Sequence, residues 1–283
     1  MQEQFSRSAG VLMPVSSLPG PYGIGTFGKK AYEFVDNLVK ARQKYWQVLP
    51  LGPTSFGDSP YASFSAFAGN PYFIDLDMLI EEGLLTKEFV DSKRWNIEDQ
   101  YVDYGLVYNS RFEVLRVAYE NSNHKELDEY KEFFTENEFW LEDYSLYRAC
   151  KDKYEGRPWS EWDKEIKFRE AETVGAFKEE LKDDMDFYKF IQFKFNEQWC
   201  KLKEYANENG ILIIGDIPIY VAMDSADVWQ NTGMFQLDEE LNPKKVAGVP
   251  PDAFSDLGQR WGNPLYDWDK MEADDFSWWR KRM

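Results

Sequence analysis

The run Gly10-Val11-Leu12-Met13-Pro14-Val15 is apolar, too short for a buried helix, and closed by Ser16-Ser17-Leu18-Pro19-Gly20-Pro21. It predicts a buried strand that runs into a loop. Ala31, Phe34, Val35, Leu38 and Val39 then recur at helical spacing, with Lys29, Glu33, Asp36 and Lys40 between them, and predict one amphipathic helix. Trp46-Gln47-Val48-Leu49-Pro50-Leu51 reads as a second strand, ended by Gly52-Pro53. Strand, helix and strand with short connections make a βαβ unit, which implies parallel pairing and a right-handed crossover. A loop of small and aromatic residues follows from Thr54 to Asn70. Beyond Asp75 the chain is charged and helical, with patchy periodicity around Phe112-Glu113-Val114-Leu115 and Phe133-Phe134-Thr135. Its last helix is plain: Tyr188, Ile191, Phe195, Trp199, Leu202 and Ala206 form one stripe, closed by Asn209-Gly210. Ile211-Leu212-Ile213-Ile214 is then a third buried strand.

The pattern gives an α/β fold with parallel strands, which both an open doubly wound sheet and a (β/α)8 barrel accommodate. Three parts follow: residues 1–75 with the first βα units, a helical insertion over 76–185, and a continuation over 186–283 with further loops. A complete barrel takes about 250 residues without large insertions, so three to four units are expected. Asp274 to Met283 opens like a helix, acids first and bases later, and the chain stops inside that element.

Composition narrows the partners. Of 283 residues 43% are hydrophobic and 30% charged, which suits a folded globular chain. The net charge of −18 repels phosphate backbones and anionic lipid surfaces, so neither nucleic acid nor membrane is expected. No apolar run approaches transmembrane length and Met1 to Ser8 has no apolar leader core, which points to the cytoplasm. Cys150 and Cys200 stand far apart and cannot make a zinc site alone; a disulfide is possible but not indicated. The single histidine, His124, lies in polar Asn121-Ser122-Asn123-His124-Lys125 and reads as a solvated loop residue without metal or catalytic partners. The aromatic share is high, 17%, which fills cores but also suits sugars, whose flat faces stack on rings.

In parallel α/β folds ligands meet the C-terminal ends of strands, and three segments fall there. Gly57 to Pro71 is rich in hydroxyls and rings; a packed surface loop is its plainer reading. In Gly215-Asp216-Ile217-Pro218-Ile219-Tyr220-Val221 an Asp leaves an apolar strand, fit either to bind a sugar hydroxyl or to cap a loop. Asp224-Ser225-Ala226-Asp227 has the spacing of a helix N-terminal cap. Gly248 to Ser255, stiffened by Pro250 and Pro251, leads into Gly258-Gln259-Arg260-Trp261-Gly262-Asn263-Pro264-Leu265-Tyr266, offering a stacking face and several polar hands to a neutral polyol. Gly20 to Gly25 lacks the spacing of a phosphate cradle.

Together and in this order these segments, with Ser8-Ala9-Gly10-Val11 through Pro19 and Gly23-Ile24-Gly25-Thr26-Phe27-Gly28, resemble the amylomaltase family of 4-α-glucanotransferases, glycoside hydrolase family 77. The resemblance runs along essentially the whole chain and is least distinctive in the helical insertion. It implies an incomplete TIM barrel that acts on α-1,4-glucans and maltooligosaccharides, with no cofactor or metal. It further implies a retaining double displacement with an Asp nucleophile, a Glu acid/base and an assisting Asp. Carried onto matching positions, Ser59 and Tyr61 line the donor side and Asp216 supports the centre. Gln259 and Trp261 contact the glucan, and the loop around Pro250, Pro251 and Asp252 arches over it. The family's Arg-Ile-Asp-His-type nucleophile motif does not occur, so no catalytic residue is assigned and the chain alone is expected to be inactive. Two other readings stand beside this one: a non-catalytic carbohydrate-binding or regulatory fragment, and an amylase-like hydrolase.

Overall fold

Strand β1 (Gly10–Leu12), helix α1 (Lys29–Lys40) and strand β2 (Tyr45–Gln47) open the chain in a computed structural model that describes residues 7–55, 57–98 and 100–283. Most of the Met1 to Ser8 stretch considered above lies outside those residues. Among the described residues the helices that follow are α2 (Leu76–Glu81), α3 (Lys87–Asp91), α4 (Tyr104–Glu120), α5 (Asp128–Lys153), α6 (Lys164–Lys167), α7 (Ala171–Glu180) and α8 (Lys182–Glu208). Then come β3 (Leu212–Ile214), α9 (Ala226–Gln230), β4 (Val246–Val249), β5 (Gln259–Pro264), α10 (Trp268–Ala273) and α11 (Ser277–Arg282). The chain divides into two compact units. One holds Met1–Leu51, Gly69–Phe134 and Phe190–Ile217; the other holds Gly52–Ala68, Thr135–Lys189 and Pro218–Met283.

The first unit is built on the parallel sheet β1-β2-β3, in that order, with Val11 beside Trp46 beside Ile213. Successive side chains of a strand point to opposite faces, and only one face here is covered. Trp46 is fully buried, its indole N–H donating to Met13 O at 2.8 Å, and Val11 and Ile213 pack on the same core as Ala31, Val35 and Leu38 of α1. Gly10 is required at the edge of this packing, because a Cβ there would lie 2.6 Å from Tyr45 Cβ. On the other face Leu12, Leu212 and Ile214 are 52%, 52% and 42% exposed. The strands read as buried are thus covered on one face only: consecutive apolar residues signal two apolar faces, not two covered ones.

Helix α8 joins this core through Leu202 and Ala206, ends as the stripe predicts, and leads into Gly210 in the left-handed region at φ +76. Two of its glutamines grip the chain between the loop and α2. Gln192 accepts from Gly69 N at 2.7 Å and donates to Gly69 O at 3.0 Å; Gln198 does the same to Asp75, at 2.6 and 3.1 Å. Each amide thus imitates a neighbouring strand for one residue. The Asp75 carboxylate caps α2 through Met78 N and accepts the Thr26 hydroxyl at 2.6 Å.

His124 also departs from expectation. It is 4% exposed, in a short turn of 3-10 helix between α4 and α5, edge-on to Tyr130 at 4.8 Å and 5.1 Å from Phe190. Ser122 Oγ lies 2.7 Å from its Nδ1. A turn between long helices leaves an apolar gap, and the ring fills it although its sequence neighbours are polar. Cys150 is buried and Cys200 exposed, both free, and burial pushes the Cys150 thiol up to about 12.

Candidate functional site

The loop of residues 52–68 belongs to the second unit and is fixed from within. Ser55 O accepts from Asp58 N at 3.0 Å across a turn that places Gly57 at φ +90 and Asp58 at φ +55. Thr54 bridges Ser63. Ser59 Oγ accepts from Tyr61 N at 3.3 Å, and Tyr61, at the tip, is 47% exposed. The hydroxyls of Ser63 and Ser65 serve the fold: Ser63 Oγ donates to Ser65 O at 2.7 Å, and Ser65 Oγ accepts from Phe67 N and Ala68 N, each at 3.1 Å. Phe64 lies under the cations of Arg148 and Lys151, and Phe67 packs on Phe139, Trp140 and Trp278.

Helix α9 is the anchor of that loop. Ser225, rather than Asp224, caps it, accepting from Val228 N at 3.3 Å, as a side-chain oxygen at an N-cap does. Asp227 is buried and accepts from Ala66 N at 2.7 Å, while Ala226 N donates to Phe64 O at 2.8 Å. Burial pushes the Asp227 carboxyl up to about 6, against the opposing pull of the Ala66 N–H and of Arg282. Asp224 is occupied differently. Its carboxylate accepts from Tyr147 Oη at 2.8 Å, Lys151 Nζ at 2.7 Å and Trp159 N at 3.2 Å.

The Pro-stiffened loop expected around residues 248–258 is the turn of an antiparallel hairpin, β4 with β5. Glycines, prolines and polar residues conceal both strands from a reading by hydrophobic alternation. Asp252 Oδ1 accepts from Phe254 N and Ser255 N, each at 2.9 Å, so this carboxylate shapes its own loop. Gly258, at φ +72, lies where a Cβ would come within 2.6 Å of Val249 O. On β5 the Trp261 indole donates to Gln259 Oε1 at 3.0 Å, leaving the ring 51% exposed with its edge already bonded. Phe254 and Leu257 at the turn are 93% and 94% exposed.

Of the six sequence-selected residues, Ser59, Tyr61, Asp252, Gln259 and Trp261 fall in the second unit, and Asp216 in the first, half-buried just past β3. Direct bonds join Ser59 with Tyr61 and Gln259 with Trp261. Residues that sequence reasoning passed over are those holding the loops, Tyr266 above all. It is 1% exposed, parallel to Tyr220 at 6.1 Å, and ringed by Phe235, Trp268, Trp278 and Trp279. Among the described residues no group of three or more His, Cys, Asp or Glu could hold a metal ion, and no helix is long and apolar enough to cross a membrane.

Residues 13–283 match the family model of 4-alpha-glucanotransferase, glycoside hydrolase family 77. The chain belongs to the 4-alpha-glucanotransferase family. The 4-alpha-glucanotransferase of Clostridium butyricum is 54% identical over 272 residues, covering 96% of this chain and 56% of its own. That of Thermus thermophilus is 47% identical over 284 residues, covering 99% and 56%. Among solved structures, the amylomaltase from Streptococcus agalactiae in complex with acarbose matches with a TM-score of 0.94 at 44% identity, covering 98% of this chain and 56% of that one. The amylomaltase from Corynebacterium glutamicum, at 18% identity and a TM-score of 0.73, shares the fold. The chain therefore spans about half the length of the curated 4-alpha-glucanotransferases it matches.

Proposed function

We propose that this chain carries glucan-contacting loops of a 4-alpha-glucanotransferase that passes α-1,4-glucan segments between maltooligosaccharides by retaining double displacement. The observation that carries the reading is the match, over 98% of the chain, to an amylomaltase solved with acarbose bound. On this reading β1, β2 and β3 are strands of an incomplete (β/α)8 barrel, and the apolar face of Leu12, Leu212 and Ile214 lines its interior. Residues 1–75 and 186–283 then supply barrel units, with 76–185 inserted between them. Tyr61 and Trp261 offer ring faces to pyranoses, Ser59 and Gln259 hydrogen-bond partners, Asp216 a carboxylate at the centre, and Asp252 the shape of the overarching loop. The acidic balance suits neutral sugar in the cytoplasm rather than nucleic acid or membrane.

Retaining transfer needs a nucleophile and an acid/base about 5–5.5 Å apart across the scissile bond. None of the residues assigned here takes either role, so the isolated chain binds glucan without turning it over. Calorimetric titration with maltoheptaose, together with product analysis after incubation with maltotriose, tests both halves. Binding that weakens about tenfold in Trp261→Ala, as loss of a stacking face implies, with no glucose or longer oligomers, is the expected result. No binding at all refutes the glucan reading, and turnover refutes the claim of inactivity.

A further inference from the structure

Residues 218–224 have no regular secondary structure, yet side chains from several elements of the second unit capture their carbonyls. Arg282 of α11 donates to Pro218 O. The Tyr266 hydroxyl donates to Ile219 O at 2.8 Å, the Asn263 amide to Val221 O at 2.8 Å, and the Trp159 indole to Met223 O at 2.7 Å. The segment closes on Asp224, itself held by Tyr147, Lys151 and Trp159. An irregular segment so bonded is a fixed rail, because each captured carbonyl would otherwise need water or a strand partner.

Asn263 is the member of this set that lies next to the ring face. Gly248 pairs with Arg260 and Val246 with Pro264, so Trp261, Gly262 and Asn263 together oppose the single residue Ala247. That is a bulge, a device that re-aims side chains and recurs beside active sites. Gly262 stands in it at φ +81, a conformation that favours glycine. The result is that Trp261 turns to solvent while Asn263, two residues on, turns to Val221 O. By sequence Asn263 looks like one more polar hand for sugar; its donor is spent on the backbone instead.

We propose that Asn263 is a positioning residue: by tying the bulge to the 218–224 rail it fixes the outward setting of Trp261 and Gln259 and so sets the stacking surface for an α-1,4-glucan. The glucan part rests on the function proposed above; the coupling of bulge to rail does not. Hydrogen exchange read by mass spectrometry on the full chain tests the coupling, and maltoheptaose titration tests its consequence. In Asn263→Leu, amides of residues 219–224 are expected to exchange about tenfold faster and maltoheptaose to bind about tenfold more weakly, the scale of one lost hydrogen bond. Asn263→Asp should match Asn263→Leu at pH 7.5, where a carboxylate faces Val221 O. Compared with wild type at the same pH, so that the intrinsic slowing of amide exchange in acid cancels, it should regain protection toward pH 4, where a protonated carboxyl donates as the amide does. A merely space-filling role would give no such pH recovery. Unchanged exchange in Asn263→Leu, or no recovery in Asn263→Asp, overturns the proposal. If Asn263→Leu fails to fold, Gly262→Ala strains the bulge without removing the amide, and its exchange and binding decide in the same way. A wild-type chain that ignores maltoheptaose refutes the glucan part, while the exchange result still decides the coupling.

Discussion

Replacing Gln198 by Leu removes one amide and leaves two backbone groups without partners. Gln198 is 0% exposed and Asp75 is 5% exposed, so water does not step in without opening the structure. The Asp75 N–H loses an acceptor at 2.6 Å and the Asp75 carbonyl a donor at 3.1 Å. Each buried group left unsatisfied costs about 1–3 kcal/mol, together about 2–6 kcal/mol. The leucine returns about 1–2 kcal/mol through apolar burial, which leaves a net loss of about 1–4 kcal/mol. Against a total stability of about 5–15 kcal/mol that is a large fraction. Gln192→Leu should lose a similar amount at Gly69. The two glutamines stand six positions apart along the helix, about 9 Å of rise, so the double variant should come within about 0.5 kcal/mol of the sum. Guanidinium unfolding followed by tryptophan fluorescence measures the loss, and exchange at the Asp75 amide localises it. A loss below about 1 kcal/mol in Gln198→Leu would refute the reasoning, because the two bonds would then be replaceable by packing alone.

Asp227 makes stability depend on pH in the direction opposite to most carboxylates. Its pKa is raised from 3.8 to about 6 by burial, so the folded state holds the proton more tightly; the contribution is full below about pH 4 and lost as pH rises through about 6. At about 1.36 kcal/mol per pH unit the swing is about 3 kcal/mol, and Asp227→Asn, which keeps an acceptor for Ala66 N, should gain on wild type by that order between pH 4 and pH 7.5 in denaturant melts; an unchanged gap would contradict it. The uncovered sheet face predicts binding of an apolar dye by the folded chain and self-association at higher concentration. Leu212→Lys with Ile214→Thr should abolish most of the dye signal while the unfolding transition persists, and a signal that stays would place the dye elsewhere.

How far the sequence carried this fold depends on how many residues share a signal. The βαβ unit and the stripe of α8 rest on repeated spacing and appear in place, with Gly210 past the helix end as its type requires. Ile211 to Ile214 sits beside β2 as read, but its neighbours in space decide which face is wet, and Leu212 and Ile214 carry no mark of that in sequence. The β4–β5 hairpin escaped because Gly248, Pro250 and Gly262 hide its alternation. At the candidate site the ring of Trp261 and the hydroxyl of Ser59 were legible as residue types. What Asp252, Asn263 and Asp227 do was not, since each is spent on a backbone group distant in sequence or shaped by a turn. His124 failed for the opposite reason: one inward side chain among polar neighbours is invisible to any window average.

That histidine gives the molecule a spectroscopic handle. The chain has one imidazole, and aromatic rings pack against it, among them Tyr119 at 5.6 Å, Phe190 at 5.1 Å and Tyr130 edge-on at 4.8 Å. Aromatic ring currents displace the resonances of protons held at such distances, and the displacement vanishes once the rings move apart. A proton spectrum would therefore carry a single, dispersed pair of imidazole signals whose positions report the packing of α4, α5 and α8, with no label attached and no other histidine to confuse the assignment.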